Sequence, residues 1–314
     1  MPRRLSVVVP VHNETACLPA LVVQLAAALE GVVDEWELIA IDDRSTDGSF
    51  EMLREMADRD PRIRALRLSR NRGHQVALRC GLDHADGDVV VTMDADLQHP
   101  PPLLREMVER WREGFDVVSM VKTRTHGRAA GKATLGALFY RVFNAISEIP
   151  ISPGGSDFRL LDRRCVLALR AMPERRPFLR GMVRWIGFEH VELQYEAAAR
   201  HAGEPQYTVR RLAALASAGF VSFASAPLRL GLSLGAATLC AAAIVAVAMA
   251  VVPSIAARPL TAAWLVPMMV VGGLVLVCTG IVGAYVAALL DEARRRPLYF
   301  VSDTIGIEAR TPER

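Results

Sequence analysis

Two aspartates in an Asp-Ala-Asp sequence, Asp94 and Asp96, follow the apolar run Asp88–Met93 and precede Gln98. Strand alternation spaces them so that both carboxylates project to one side. Carboxylates at close range repel unless a cation lies between them. Hard divalent cations take carboxylate oxygens and keep substrate phosphates in their shell. The chemistry this spacing suits is Mg2+ or Mn2+ held by Asp94 and Asp96. Gln98 adds an amide oxygen, and a diphosphate completes the shell. A bare Asp-x-Asp also arises by chance or as a helix cap, so its setting decides its meaning.

The setting is a series of similar ends. The run Leu5–Val11 leads into His12, Asn13 and Glu14. Trp36–Asp42 leads into Asp43, Arg44, Ser45, Thr46, Asp47 and Gly48. Ile63–Ser69 leads into Arg70, Asn71, Arg72, Gly73, His74 and Gln75. A hydrophobic core has no use for these residues. Glu14, Asp42 and Asp43 suit a base N–H or ribose hydroxyls, and each also suits a turn or a helix cap. The first run continues as VHNET, and no G-x-G-x-x-G or G-x-x-x-x-G-K-[ST] occurs. That counts against dinucleotide oxidoreductases and P-loop NTPases. A nucleotide here is held by metal and carboxylates instead.

These ends must be positioned by regular elements. The runs are short and rich in β-branched residues, and a fifth follows at Asp116–Val121, so each predicts a strand. Between them lie helical patterns at Cys17–Leu29, Asp47–Asp58, Gly73–His84 and Pro101–Glu113. Ser45 or Thr46 suits the N-cap of the second helix, and Pro101 and Pro102 suit the first turn of the fourth. Alternating strands and helices predict an α/β, doubly wound, mostly parallel sheet. Ligands in such sheets bind at the carboxyl ends of the strands. All four loaded loops fall there.

Composition adds a membrane-directed region. The 314 residues are 52% hydrophobic and 23% charged, with a net charge of +3. The charged fraction excludes a disordered chain and an all-membrane transporter. Yet the mean hydropathy is +0.24, high for a soluble globule. The excess is local: between Leu230 and Leu290 the only charged residue is Arg258. Leu230–Val252 and Trp264–Leu290 each exceed the roughly 20 residues that span a bilayer core. Arg210, Arg211 and Arg229 precede the first run, and Arg294, Arg295 and Arg296 follow the second. The positive-inside rule puts both termini in the cytoplasm of an integral protein of the cytoplasmic (inner) membrane. Tyr207–Ala226, with arginines and aromatics among small residues, suits amphipathic helices in the headgroup layer. The predicted organisation is a cytoplasmic catalytic domain over residues 1–206, an interfacial segment 207–228, a two-span hairpin 229–290 and a cytoplasmic tail 291–314. Cys17, Cys80, Cys165, Cys240 and Cys278 show no metal or redox spacing and read as reduced thiols. Gly231, Gly235, Gly272, Gly273, Gly280 and Gly283 permit close helix packing and leave a homo-oligomer open.

VVVPVHNE, AIDDRSTDGS and LSRNRGHQVALRCGLDHADGDVVVTMDADLQHPP together resemble family 2 glycosyltransferases with the GT-A fold. SDFRLLDRR at Ser156–Arg164, FLRGMVRWIGF at Phe178–Phe188 and the paired spans ending near RRRPLYFV narrow the likeness. They resemble the branch of dolichyl-phosphate mannose synthases and bactoprenol glucosyltransferases. That branch transfers one sugar from a nucleotide diphosphate sugar to a polyprenyl phosphate at the cytoplasmic face, with inversion. The resemblance implies that Pro10, Asn13, Glu14, Asp42, Asp43, Gln75, Asp94, Ala95 and Asp96 line the nucleotide-sugar site. It implies that Asp94, Asp96 and Gln98 hold the metal. Asp157 falls beside the donor sugar and acceptor, and with Asp96 is the catalytic candidate. Arg200 matches an arginine that clamps phosphate. Pro205-Gln206 and Ala284 depart from the family pattern and touch only the acceptor side.

An acceptor phosphate is already ionised, so the site needs no strong base. It must instead bring two anions together. Lys122, Arg124, Arg128 and Lys132 follow the fifth strand and suit the acceptor phosphate. The same stretch lacks interleaved aromatics and does not suit nucleic acid. A processive polysaccharide synthase is the nearest rival. Arg184-Trp185 fits its Gln-x-x-Arg-Trp pattern, but Gly181 stands at the Gln position. A non-catalytic membrane scaffold keeping the fold is the other.

Overall fold

The protein's structure, a computed structural model, describes residues 4–123, 155–175, 177–196 and 261–308, with isolated positions between 233 and 244. Its contacts divide into two units. One comprises Met1–Val142, Ile149–Ala213 and Arg296–Arg314, and the other Phe143–Glu148 and Ala214–Arg295.

The first unit is built on one sheet. Strands β1 (Arg4–Val11), β2 (Glu35–Asp42), β3 (Ile63–Leu68), β4 (Val89–Thr92), β5 (Val117–Lys122), β6 (Gly155–Asp162), β7 (His190–Tyr195) and β8 (Val301–Ile305) lie in the order β7-β5-β6-β4-β1-β2-β3-β8. β4, β1, β2 and β3 run parallel, β5 and β7 run parallel, and β6 and β8 run antiparallel to their neighbours. Helices α1 (Leu18–Leu29), α2 (Ser49–Arg59), α3 (His74–His84) and α4 (Leu104–Arg112) make the crossovers, joined by α5 (Arg163–Ala171) and α6 (Leu179–Trp185).

The central strands are buried along almost their whole length, which is why they read as unbroken apolar runs rather than alternating ones. Val7 and Val9 of β1, Leu38 and Ala40 of β2 and Val89 and Val91 of β4 share one core with Leu18, Leu21 and Leu25 of α1. Helix α1 buries every third or fourth residue, the spacing of one helical face. Gly87 closes the turn before β4 where a Cβ would lie 2.7 Å from both Ser6 N and Val89 O. Those are backbone atoms that cannot rotate away.

The five predicted strands and four predicted helices are present, with ends shifted by one to three residues. Three details differ. The cap of α2 is Gly48, at φ 89°, and not Ser45 or Thr46. A left-handed residue is needed where the chain turns into the helix, and glycine takes it at no steric cost. Pro101 and Pro102 form a separate 3-10 turn ahead of α4. Strand β4 ends at Thr92, so Asp94 and Asp96 stand in a turn and strand alternation does not place them.

In the second unit, helix α7 (Thr261–Ala293) is described. Its segment Val270–Ala293 is, among the described residues, the one stretch long and apolar enough to cross a membrane. Met268, Val270, Leu276 and Leu289 on this helix are exposed. The first predicted span, Leu230–Val252, lies almost entirely outside the described residues, and the interfacial segment 207–228 wholly so. A hairpin of two spans is therefore not established. Residues 296–308 belong with the sheet, and β8 is its edge strand. Among the described residues no disulfide forms, and Cys17, Cys80 and Cys165 are buried.

Candidate active site

The loops at the carboxyl ends of β1, β2, β3 and β4 meet along one edge. In the β1 loop, Asn13 adopts φ 60°, a conformation that asparagine tolerates better than most residues. Its Oδ1 accepts a hydrogen bond from Thr46 N at 2.8 Å, and its own N–H donates to Ser45 Oγ at 3.0 Å. Glu14 N donates to Ser49 Oγ at 3.0 Å. These bonds join the first and second loops into one surface. Pro10 is buried in β1 opposite Ile41, past the last residue that pairs with β4.

Asp47 braces the same junction. It accepts from Thr15 N at 3.1 Å and from Ser49 N at 3.0 Å. Burial opposes ionisation, but the hydrogen bonds from Ser49 and Thr15 outweigh it and bring the pKa down to about 2. A carboxylate lowered on folding contributes stability that is full above its unfolded value of about 4 and is lost as pH falls through the folded one. We expect the thermal midpoint to fall between pH 4 and about 2, and Asp47→Ala to flatten that limb. Unfolding followed across pH checks this.

The two carboxylates at the end of β2 have different tasks. Asp42 is fully buried, accepts from Ser45 N at 3.0 Å and lies 3.1 Å from Arg67 Nε. It serves the turn from behind. Asp43 accepts from Arg72 N at 2.6 Å and from Gly73 N at 2.8 Å. It thereby ties the second loop to the third, although burial pushes its carboxyl above the usual range.

The acidic turn is held by a residue of its own making. His99 Nδ1 accepts from Asp94 N at 2.9 Å, and its Nε2 lies 3.6 Å from Asp94 Oδ2. The ring stacks on Phe158 at 5.0 Å. Burial lowers its pKa against the pull of the neighbouring acids, so the ring is neutral and accepts through Nδ1. Asp96 Oδ1 accepts from Gln98 N at 3.1 Å, and Leu97 between them is left-handed at φ 60°. A buried leucine in that conformation stores backbone strain. Gln98 Oε1 faces Lys122 Nζ at 3.5 Å. Ala95 is buried.

Asp157 enters from β6. Antiparallel pairing sets Arg159 opposite Thr92, and Thr92 Oγ1 donates to Asp157 O at 2.6 Å. The Asp157 carboxylate is almost fully buried and heavily engaged. Arg180 grips it as a fork, Nε to Oδ1 at 3.1 Å and Nη2 to Oδ2 at 3.2 Å. Gln75 Nε2 donates to Oδ2 at 3.0 Å, and Arg159 Nη2 to Oδ1 at 3.4 Å. His74 Nε2 sits 3.4 Å from Asp157 Oδ2 and 3.5 Å from Asp94 Oδ1, bridging the two acids. Burial works to raise the Asp157 pKa, but Arg180, His74 and Arg159 outweigh it and hold it well below the usual range. Burial likewise opposes charge on His74, yet Asp94 and Asp157 raise its pKa.

The structure thus gathers Asp94, Asp96, Gln98, Lys122, Gln75 and Asp157 near one another. It sets Asn13, Glu14 and Asp43 along the neighbouring loops. Arg124, Arg128, Lys132 and Arg200 lie outside the described residues. Sequence patterns give no role to His74, His99, Arg159 and Arg180, although the quoted motifs contain all four. Among the described residues, no three His, Cys, Asp or Glu side chains group closely enough to hold a metal alone. The acidic turn still fits a cation that takes other ligands from a substrate. Asp94 Oδ1 is buried and accepts no hydrogen bond.

Known proteins are similar to this chain in sequence. The model for glycosyl transferase family 2 matches residues 6–160. The "Uncharacterized glycosyltransferase YkcC" of Bacillus subtilis is 35% identical over 96% of this chain and 94% of its own. The "Bactoprenol glucosyl transferase" of Shigella phage SfV is 31% identical over 96% and 98%. Among solved structures, glucosyl-3-phosphoglycerate synthase of Mycobacterium tuberculosis, bound to Mn2+, UDP-glucose and phosphoglyceric acid, superposes with a TM-score of 0.47 at 22% identity. That match covers 69% of this chain and 79% of the synthase. The protein is a glycosyltransferase with a GT-A fold. The chain belongs to glycosyl transferase family 2.

Proposed function

We propose that the protein transfers a single sugar from a nucleotide diphosphate sugar to a polyprenyl phosphate, with inversion, at the cytoplasmic face of the membrane. The observation that carries this is the end-to-end likeness to a bactoprenol glucosyl transferase, which includes the apolar rear of the chain. Mg2+ or Mn2+ would be held by Asp94 and Asp96, with Gln98 beside them. When bound, the ion supplies offsetting charge for the leaving diphosphate. Pro10, Asn13, Glu14, Asp43, Gln75 and Ala95 would line the nucleotide side, with Asp42 supporting it from behind.

The acceptor phosphate oxygen attacks the anomeric carbon, and the bond to the donor diphosphate breaks. Asp157 is ionised and already engaged by two arginines, so it is a poor reservoir for a proton. Its role is to hold Arg180, Gln75 and His74 in place around the reacting groups. Lys122, with Arg124, Arg128, Lys132 and Arg200, would neutralise the acceptor phosphate. A polyprenyl chain resists leaving the bilayer at about 0.8 kcal/mol per exposed CH2. Segment 207–228 and hairpin 229–290 would therefore keep the enzyme at the headgroups, with both ends cytoplasmic.

Membranes containing the protein, given labelled sugar nucleotides and polyprenyl phosphate, test the reading. It expects a lipid-extractable, acid-labile product carrying one sugar. A polymer would favour a processive synthase, and no product with any donor would favour an inactive scaffold. Either result overturns the proposal.

A further inference from the structure

We propose that the C-terminal segment Arg296–Ile305 is a strap that positions the reacting end of α3, with Arg72 as its positioning residue. The inference rests on the reading of Asp94 and Asp157 given above.

The strap is fastened at several points. Arg72 reaches across to it, donating from Nε to Leu298 O at 2.9 Å and from Nη2 to the same oxygen at 2.5 Å. Arg175 Nη2 bonds Arg296 O. Tyr299 is 2% exposed, and its hydroxyl donates to Asp83 Oδ2 at 3.0 Å. Ser69 N donates to Phe300 O at 2.8 Å, after which β8 pairs with β3 from Val301 to Ile305. A guanidinium fork on a main-chain carbonyl and a buried tyrosine are costly to arrange for a tail that merely rests on a surface.

What these contacts hold is the site. Arg72 lies two residues before His74. Its own N–H, with that of Gly73, is spent on the two oxygens of Asp43. Gly73, at φ 90°, starts α3, and Val76 N and Ala77 N bond back to Gly73 O. The next two residues, His74 and Gln75, are those that meet Asp94 and Asp157. Asp83, in the last turn of the same helix, takes both Tyr299 and Arg79 Nε, the latter at 2.9 Å. The strap therefore grips the residue before α3 and the end of α3. A helix fixed at both ends delivers its first turn to the two acids in one orientation.

The test uses the full chain in lipid with Arg72→Ala, Arg72→Lys and Tyr299→Phe. Arg72→Ala keeps the backbone N–H on Asp43 but cuts the strap's tie to the start of α3, while its other fastenings remain. Its kcat should fall roughly 10-fold to 100-fold, the size expected for slight misplacement of catalytic groups. The KM for the sugar nucleotide should change by less than about 2-fold, since the nucleotide contacts survive. Amide exchange at Val76 and Ala77 should quicken by about 10-fold as the first turn opens more often. Arg72→Lys should recover part of the rate, and Tyr299→Phe should act in the same direction, more weakly. Unchanged kcat and exchange in Arg72→Ala would overturn the proposal, as would a KM effect alone. Should the unaltered chain make no lipid product, the transfer reading fails and exchange alone decides. Faster exchange then supports the strap, and unchanged exchange rejects it.

Discussion

Asp96→Ala is expected to lose activity by roughly 1,000-fold or more, because a metal-bound diphosphate is worth several kcal/mol in the transition state. The substitution removes two things. One is the charge that would pair with a bound cation. The other is the acceptor for Gln98 N, which shapes the turn around left-handed Leu97. Asp96→Asn separates them. Its amide oxygen still accepts from Gln98 N, so the turn survives while half the anionic pair is gone. Both variants should therefore fail alike, and both should lose the gain in nucleotide affinity that Mn2+ brings. Calorimetric titration of nucleotide with and without Mn2+ reads this directly. If Asp96→Ala binds the nucleotide with an unchanged Mn2+ dependence, the ion is held elsewhere.

The placement of this turn shows where sequence reasoning reaches and where it stops. Buried parallel strands announce themselves as continuous apolar runs. β1, β2 and β4 are therefore legible, and with them the edge where their polar loops gather. The Asp-Ala-Asp sequence suggests metal chemistry, but its geometry is not legible. Strand alternation ends at Thr92, and a reversal at Leu97 takes over. Nothing in a leucine advertises a positive φ. The cap of α2 is misleading for a related reason. Ser45 faces Asn13 N and Asp42 instead of a helix end, and Gly48 turns the chain.

The other half of the site is hidden more deeply. β6 carries Asp157 and Arg159 among apolar residues, so charge interrupts the pattern that would mark a buried strand. Only the pairing with β4 makes those charges neighbours of the acidic turn. His74 and His99 are lone histidines in sequence, without spacing to any partner. Their meaning comes from contacts between β4, α3 and β6 that no local pattern records. β8 is more remote still: it meets β3 from the far side of the long apolar helix in sequence. Reading residues 291–314 as a simple tail follows from local sequence, because an edge strand of mixed polarity has no signature of its own.

Asp157→Asn is the second large effect, and its interpretation turns on charge rather than shape. Asparagine fills the same volume and still accepts a hydrogen bond from Arg180. It does not neutralise Arg180 and Arg159, both of which surround a nearly buried position. Breaking a buried ion pair from one side costs about 3–5 kcal/mol. Some of that cost should appear as a lower unfolding midpoint. The rest should appear in the site as Arg180, Gln75 and His74 lose their common anchor. Turnover per nucleotide-binding site should then drop roughly 100-fold or more, while nucleotide binding persists. The pH profile separates anchor from base. A carboxylate held well below its usual range is ionised throughout the working range, so it contributes no acid limb. The residual rate of Asp157→Asn should lose no carboxylate limb, and any shift of its profile should follow His74, whose pKa Asp157 helps to raise. Near-normal turnover in this variant would remove Asp157 from the mechanism. Loss of an acid limb that the wild type shows would make it a proton acceptor instead, and Arg180 would then matter for tuning that proton rather than for placing the acceptor.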